Sequence, residues 1–388
     1  MSNFCIVSEF NPFHNGHAYL IKKAREMGAD TVTCIMSGNA TQRGELAITD
    51  KYLRAEAAVK AGADLVIELP FPWCAASAEY FAEAATCLVA PFGDKLIFGS
   101  ECGDVEKLTS AARFCESEEF TKEYEQRLCD GEGAASAFVS VLRSNGYDSL
   151  SSNDILGISY IRSIIRNNLS LEPVTISRIG AAYNEKNEVS GDIQSASAIR
   201  AMLESGDIHK LSSYIPMDMC RKLEEEYKAG RLTDLNEIED LILGFFRLCD
   251  ASALSDIADA SGGIINRLVS ASKHSTTVSE MLDAVKTKRY TDAKLRRAVL
   301  FSLTGVRASD LKARPEYTLL LAANGKGREL LSKYRKSVDS LVVTKPADAP
   351  KESVQYALSE KLDSVYSLAR KNKYSSDFFL KKGAYIQK

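Results

Sequence analysis

Two of the four histidines in the chain, His14 and His17, lie three residues apart in the segment Ser8–Ala24, which reads SEFNPFHNGHAYLIKKA. Two imidazole rings at this spacing can donate hydrogen bonds to a phosphate group or bind a metal ion. A zinc site needs three or four ligands, but His209 and His274 are remote in the sequence and no Cys-x-x-Cys pair completes a set. We therefore expect no metal site here and predict phosphate binding, with a plain helix cap or a surface pair as the alternative.

The local pattern places both histidines in a turn between a strand and a helix. Phe4–Phe10 is short and rich in β-favouring residues, which predicts a buried strand, and Pro12 cannot continue it. Asn15-Gly16 is typical of a turn, and the apolar residues from His17 onward have helical spacing. In open α/β sheets ligands bind at such a place, because the free N–H groups and the dipole of the helix attract anions.

A second turn carries the residue types of an anion site. In Gln194–Arg200, which reads QSASAIR, Ser195 or Ser197 can cap the helix that follows, and Arg200 lies in its first turn. Hydroxyl groups, free N–H groups and a guanidinium together favour phosphate binding. Taken alone, Ser-x-Ser before a helix is more often only a cap. At another strand end, Gly99 lets a ligand approach the backbone closely.

Strands and helices alternate through the first half of the chain. Between helical patterns, β-rich runs occur at Phe4–Phe10, Thr31–Met36, Asp64–Leu69, Lys95–Gly99 and Pro173–Ile179. This alternation predicts an α/β fold with a doubly wound parallel sheet. The β pattern then fades, so we predict an α/β domain over residues 1–207 and a mainly α-helical domain over 208–388, with a single candidate strand at Ser340–Thr344.

The two parts differ in charge. Residues 1–200 contain 18 Lys and Arg against 27 Asp and Glu, a net charge of −9, whereas residues 201–388 contain 31 against 25, a net +6. The run Lys286–Arg297, KTKRYTDAKLRR, has six basic residues and one acidic residue. Such a run is often only a solvated helix face, but the charge difference favours separate partners for the two parts.

Composition excludes several classes of protein. No apolar stretch reaches the roughly 18 residues that span a membrane, and the start of the chain lacks the features of a signal peptide. The nine cysteines are scattered and odd in number, which indicates reduced thiols and a cytoplasmic protein rather than a disulfide framework. We expect no membrane association and infer no protein partner.

The chemistry-bearing segments resemble known motifs. His14–His17 resembles the His-x-Gly-His signature of the nucleotidyltransferase superfamily, and Gln194–Arg200 resembles its second signature, Ile-Ser-Ser-Thr-x-Ile-Arg, from which Gln194 and Ala196 depart. The longer runs EFNPFHNGHAYL, MSGNATQRGE, DLVIELP and FGSECGD, with TKRYTDAKLRRAVL in the helical part, resemble the bacterial tRNA(Met) cytidine acetate ligase family. No loop like Lys-Met-Ser-Lys-Ser follows, which disfavours a class I aminoacyl-tRNA synthetase.

The resemblance implies a Rossmann-like fold of the nucleotidyltransferase type and an acyl-adenylate-forming ligase. Such an enzyme uses ATP, with Mg2+, to activate acetate and acetylates the wobble cytidine of elongator tRNA(Met) to N(4)-acetylcytidine. By position, catalysis falls to His14, His17 and Arg200. The residues expected to bind ATP are Val7, Ser8, Glu9, Phe10, Asn11, Pro12, Phe13, His14, Asn15, Gly16, His17, Ala18, Tyr19, Leu20, Gly99, Asn153, Arg178, Ile179, Ser195 and Ser197. Those expected to bind tRNA are Lys286, Lys288, Arg289, Lys294, Arg296 and Arg297.

Two other functions stay open at this point. A small-molecule adenylyltransferase of the same superfamily would share the histidine turn and the serine-rich helix start, but it would not explain a basic helical part. A non-catalytic, nucleotide-sensing RNA-binding protein would explain that part, but it has less need of both histidines. Asn153 in SSND also has a simpler interpretation as a helix cap.

Overall fold

The computed structural model describes residues 2–148, 150–178, 193–334 and 341–387. The strands are β1 (Asn3–Ser8), β2 (Thr31–Ser37), β3 (Leu65–Leu69), β4 (Lys95–Ser100), β5 (Glu172–Ser177), β6 (Tyr317–Ala323), β7 (Leu341–Val343) and β8 (Tyr385–Ile386). The helices are α1 (Asn15–Glu26), α2 (Lys51–Lys60), α3 (Ala78–Val89), α4 (Val105–Phe114), α5 (Glu118–Cys129), α6 (Ala134–Ser144), α7 (Ser152–Arg166), α8 (Ala196–Glu204), α9 (Met217–Lys228), α10 (Glu239–Leu248), α11 (Ile264–Ser272), α12 (Val278–Val285), α13 (Asp292–Thr304), α14 (Ala308–Lys312), α15 (Gly325–Tyr334) and α16 (Val354–Leu368).

The strands form one sheet in the order β5-β4-β1-β2-β3-β6-β7, with β8 paired to β6. Strands β1 to β5 are parallel to one another, whereas β6 runs antiparallel to β3. The predicted α/β class and doubly wound parallel sheet are therefore confirmed. Because β1 lies between β2 and β4, the strand order reverses at β1, and ligands bind outside the carboxyl ends of strands at such a switch point.

The part of the chain after residue 208 adds three strands to this sheet, where the sequence predicts one. Strand β7 lies inside the candidate strand Ser340–Thr344, but β6 and β8 were missed. All seven residues of β6 are buried, and a continuous apolar run cannot be distinguished by its period from a buried helix segment. The sheet thus extends across the predicted boundary at 207/208, and that boundary stays a prediction.

Helices pack on this sheet and on one another. Helices α3 and α4 both contact α7, α1 contacts β2 and β4, and α2 contacts β6. Helices α8 to α14 occupy the chain between β5 and β6, and α10 to α13 contact one another. Among the described residues, none of the helices has the length and apolar character needed to cross a membrane.

Candidate active site

The two histidines of the turn after β1 hold each other in place. His14 caps α1, and its Nδ1 accepts a hydrogen bond from the N–H of Gly16 at 3.1 Å. His17 Nδ1 accepts one from the N–H of His14 at 3.2 Å, and the two rings stack with centroids 3.7 Å apart. An Nδ1 that accepts leaves the proton of a neutral imidazole on Nε2. The turn therefore presents two Nε2–H donors side by side.

Both rings are uncharged at neutral pH. Burial and the nearby guanidinium of Arg178 lower the pKa of His14 to about 4. Burial, His14 and Arg178 lower the pKa of His17 well below its usual value. These rings are suited to donating hydrogen bonds to phosphate oxygens without taking part in proton transfer.

The residues between the histidines allow this arrangement. A Cβ on Gly16 would lie 2.9 Å from Cε1 of His14, so the ring can only rest there over a glycine. The backbone N–H of Asn15 donates to the carbonyl of Tyr214 at 2.9 Å, and its side-chain amide donates to the carbonyl of Ser213 at 3.1 Å. The segment that follows α8 thus fixes the histidine turn from outside the first 200 residues.

The rest of Val7–Leu20 mainly builds the turn. Phe10 and Phe13 are buried, and their ring centroids lie 4.9 and 5.6 Å from that of His17. Asn11 Oδ1 accepts the N–H of Ile48 at 2.8 Å. The other predicted members of this segment divide into buried Val7 and Pro12 and partly exposed Ser8, Glu9, Ala18, Tyr19 and Leu20.

The carboxylate of Glu101, directly after β4, contacts two of the predicted ATP-binding residues. Glu101 Oε1 accepts the side-chain amide of Asn153 at 2.6 Å and lies 3.5 Å from Nε of Arg178. Ser151 donates its hydroxyl to the other oxygen of Glu101. A Cβ on Gly99 would lie 3.0 Å from Cγ of Arg178, so glycine leaves room for that side chain. Asn153 is not the helix cap, because Ser151 caps α7.

Arg200 joins the second predicted anion segment to the histidine turn. Ser195 caps α8 by accepting the N–H of Ala198 at 3.2 Å, and its hydroxyl lies 3.0 Å from that of Ser197. Arg200 donates from Nη1 to the carbonyl of Asn11 at 2.9 Å. Tertiary structure therefore places a guanidinium from α8 against the turn that carries the two histidines.

Comparisons with known proteins show which family this chain belongs to. Residues 1–378 match the HIGH Nucleotidyl Transferase family. The tRNA(Met) cytidine acetate ligase of Acetivibrio thermocellus is 36% identical over 92% of this chain and 91% of its own length. The enzyme of the same name from Clostridium perfringens is 32% identical over 97% of each chain. This chain belongs to the tRNA(Met) cytidine acetate ligase family.

A solved structure has the same fold over the whole chain. The crystal structure of Thermotoga maritima TmcAL bound with alpha-thio ATP superposes with a TM-score of 0.89 at 29% identity. That comparison covers 100% of this chain and 99% of the other. The predicted nucleotidyltransferase-type fold is thereby confirmed.

One residue of this chain that supports the site was not predicted from the sequence. Arg54 of α2 is fully buried, and its guanidinium donates to the carbonyls of Glu9 at 2.7 Å, Ser37 at 3.1 Å and Thr49 at 2.9 Å, and also to that of Gly38. It therefore ties together the ends of β1 and β2. One indication of this role was present in the sequence, because Arg54 occupies an apolar position of the helix KYLRAEAAVK.

Some of the predicted tRNA-binding residues are exposed to solvent, and the others contact neighbouring side chains. Lys288 and Arg289 are exposed, and Lys286 is exposed but lies 2.8 Å from Asp292. Lys294 lies over the ring of Tyr290, at 5.7 Å from its centroid, and burial lowers its pKa.

The last two residues of Lys286–Arg297 form ion pairs with acidic residues from other segments. Arg296 pairs with Glu45 at 2.6 Å, and Arg297 is buried and pairs with Asp259 at 2.5 Å. The guanidinium of Arg297, which was expected to bind tRNA, is thus paired inside the protein, and the assignment of these residues to tRNA binding stays a prediction.

Two further expectations, that Ile179 binds ATP and that the chain has no metal site, stay predictions. Ile179 lies outside the residues that the structure describes. Within the described ranges there is no group of three or more His, Cys, Asp or Glu side chains arranged to hold a metal ion.

Proposed function

We propose that this chain is an ATP-dependent acetate ligase. It converts acetate and ATP to acetyl-adenylate and pyrophosphate, and it then transfers the acetyl group to the wobble cytidine of elongator tRNA(Met), giving N(4)-acetylcytidine and AMP. The observation that carries the proposal is the pair of neutral Nε2–H donors of His14 and His17 at the switch point of the sheet, where the charge of Arg178 helps to keep both rings neutral.

The first step needs positioning and charge stabilisation. An acetate oxygen attacks the α-phosphorus of ATP, the bond to the β-phosphate oxygen breaks, and the electron pair leaves with pyrophosphate. Acetate is already ionised at neutral pH, so no general base is required. Negative charge grows on the α-phosphate and the leaving group, and preorganised donors such as His14 and His17 stabilise it.

Two arginines complete the proposed nucleotide site. Arg200, with the hydroxyl of Ser197, would bind the β- and γ-phosphates, which leave together as pyrophosphate. Arg178 and Asn153, which both contact Glu101, would also contact the nucleotide. Guanidinium groups suit this role because they donate several hydrogen bonds and keep their charge.

Mg2+ would arrive with ATP rather than sit in a protein cage. The carboxylates around the turn are committed to donors: Glu9 accepts the N–H of Gln42 at 2.8 Å, Glu45 pairs with two arginines, and Glu101 pairs with Arg178. Imidazole N–H and guanidinium groups suit phosphate oxygens and not a cation. Among the described residues, the carboxylates around the turn therefore do not form a Mg2+ site.

The second step needs the tRNA. The exocyclic amine of cytidine attacks the acetyl carbon, AMP leaves, and the amine loses a proton. The base must be unstacked from the anticodon loop to reach the anhydride. We assign tRNA contacts to the basic part after residue 208, with exposed Lys288 and Arg289 among them. Because its substrate would be a tRNA, we propose that the enzyme acts in the cytoplasm.

Pyrophosphate exchange tests the first step without RNA. Labelled pyrophosphate should enter ATP when acetate is present, and much less with other carboxylic acids. Acetylated tRNA(Met), detected by mass spectrometry of the nucleosides, tests the second step. A variant with a replaced surface lysine, Lys22→Ala on α1, is the control and should exchange like the wild type, because its ammonium is exposed.

The rival functions give different results in the same assay. Exchange that depends on a phosphorylated small molecule and not on acetate would indicate a small-molecule adenylyltransferase. Absence of exchange with every acid, with ATP and tRNA still bound, would indicate a nucleotide-sensing RNA-binding protein. Either result would contradict the ligase.

A further inference from the structure

The loop Thr41–Glu45 after β2 lies between the histidine turn and α13. Gly44 has a φ of +74°, and a Cβ there would lie 2.5 Å from the backbone nitrogen of Arg297. Arg297 also donates from Nη1 to the carbonyl of Gln42 at 3.4 Å. On its other side, the loop is bound to β1 through the N–H of Gln42 and the carboxylate of Glu9. The loop is therefore in direct contact with both parts of the molecule.

One carboxylate in this loop binds an arginine from each part. Glu45 Oε2 lies 3.1 Å from Nη2 of Arg200, and Glu45 Oε1 lies 2.6 Å from Nη1 of Arg296. Arg200 comes from the predicted phosphate-binding helix and Arg296 from the predicted RNA-binding segment. Arg200 and Arg296 thus share one charge partner, although they lie 155 and 251 residues away from Glu45 in the sequence.

The two arginines differ in their access to solvent. The side chain of Arg296 is 38% exposed, whereas that of Arg200 is 19% exposed. A phosphate of a bound RNA can therefore reach Arg296 more readily. The two guanidinium groups on Glu45 also repel each other, so when Arg296 leaves, the attraction of Glu45 to Arg200 is no longer opposed by that repulsion.

We propose that Glu45 couples RNA binding to pyrophosphate release. An RNA phosphate that binds Arg296 withdraws this arginine from Glu45. Glu45 then holds Arg200 more strongly, and Arg200 binds pyrophosphate less tightly. Glu45 is a positioning residue in this scheme, because it acts through Arg200. The inference rests on the proposed function and adds to it a reason why tRNA binding would commit acetyl-adenylate to transfer.

Calorimetric binding of inorganic pyrophosphate tests the coupling. The titration is made with and without saturating elongator tRNA(Met) whose wobble cytidine is replaced by uridine, so that no acetyl transfer occurs. In the wild type, the tRNA should raise the dissociation constant of pyrophosphate about fivefold, at the lower end of usual coupling between sites. By reciprocity, pyrophosphate should weaken tRNA binding by the same factor.

Two variants and one control isolate Glu45. In Glu45→Gln, which keeps the shape of the side chain, the tRNA should no longer change pyrophosphate binding. In Arg296→Ala, pyrophosphate should bind weakly even without tRNA, and the tRNA should add nothing. Arg307→Ala breaks an exposed pair with Asp256 in the same part of the chain and should behave like the wild type.

The outcomes separate this inference from the proposed function. If the wild type shows no effect of tRNA on pyrophosphate binding, or if Glu45→Gln keeps the full effect, the coupling is wrong. If acetate-dependent exchange is present in the same preparations, the ligase stands without it. If exchange itself is absent in the wild type, the proposed function fails instead.

Discussion

The histidine turn and the basic segment Lys286–Arg297 are both rich in chemistry-bearing residues, but they obtain their partners differently. In the turn, the bonds that orient His14 and His17 come from backbone groups within three residues. In the basic segment, the partners of Arg296 and Arg297 are acids 251 and 38 residues away. The orientation of the two rings is therefore set by neighbouring residues, although Asn15 between them also binds Ser213 and Tyr214. The partners of a run of charges are set by the fold, so its role cannot be read from the sequence.

The comparison is tested most strongly at the histidines. His14→Asn and His17→Asn retain a short polar side chain that can accept a backbone N–H, but they lack the Nε2–H donor. Each should lower acetate-dependent pyrophosphate exchange by about 10²–10³, the usual cost of one preorganised donor. His209→Ala, in which an exposed histidine is replaced, is the control. Exchange within a few-fold of wild type in the folded variants would remove the assigned role.

The turn should also make the protein sensitive to acid. The pKa of His14 is about 4 in the folded protein and 6.5 ordinarily. Between these values only the unfolded chain binds the proton, so stability is complete above pH 6.5 and falls as the pH drops towards 4. From pH 7 to pH 5, His14 should account for about 2 kcal/mol of lost stability.

Thermal unfolding at the two pH values measures this loss. The wild type should lose more stability between pH 7 and pH 5 than His14→Asn does. Equal losses in both proteins would show that His14 titrates at its ordinary pKa in the folded state.

In the basic segment, the largest effect expected is on folding. Arg297→Ala leaves the carboxylate of Asp259 without its guanidinium in a mostly buried place. The free energy of unfolding should fall by about 1–3 kcal/mol, the cost of an unpaired buried polar group. Arg307→Ala should change it by less than about 1 kcal/mol, because that pair is exposed. If Arg297→Ala weakens RNA binding and leaves the melting temperature unchanged, the two regions are more alike than we infer.

The smallest effect expected is on RNA affinity alone. Replacement of both Lys288 and Arg289 by Ala should weaken tRNA binding several-fold and reduce the slope of log affinity against log salt by about 2, since two phosphate contacts are lost. Acetate-dependent exchange should be unchanged in this double variant. A filter-binding series at increasing salt measures the slope. A slope equal to that of the wild type would place the RNA on another surface.

Much of the fold was readable from the first 207 residues. β1 to β5 follow the β-rich runs, and β1 and α1 flank the histidine turn as expected. The continuation of the sheet into β6 was not readable, because its buried run YTLLLAA is rich in Leu and Ala, which favour helices, whereas the equally buried β3 contains Val and Ile. β8 has two residues, too few to form a pattern at all.

The candidate site shows the same division. The sequence by itself determined where the histidine turn lies, since the end of β1, Pro12 and the glycine under the imidazole of His14 are neighbours in the chain. Only the tertiary structure decided that Glu101 holds Asn153 and Arg178, that Arg54 binds the strand ends, and that Glu45 joins α8 to α13. The physical reason is that a charge is balanced by whichever opposite charge the fold brings within a few ångströms, and separation along the chain carries no record of that distance.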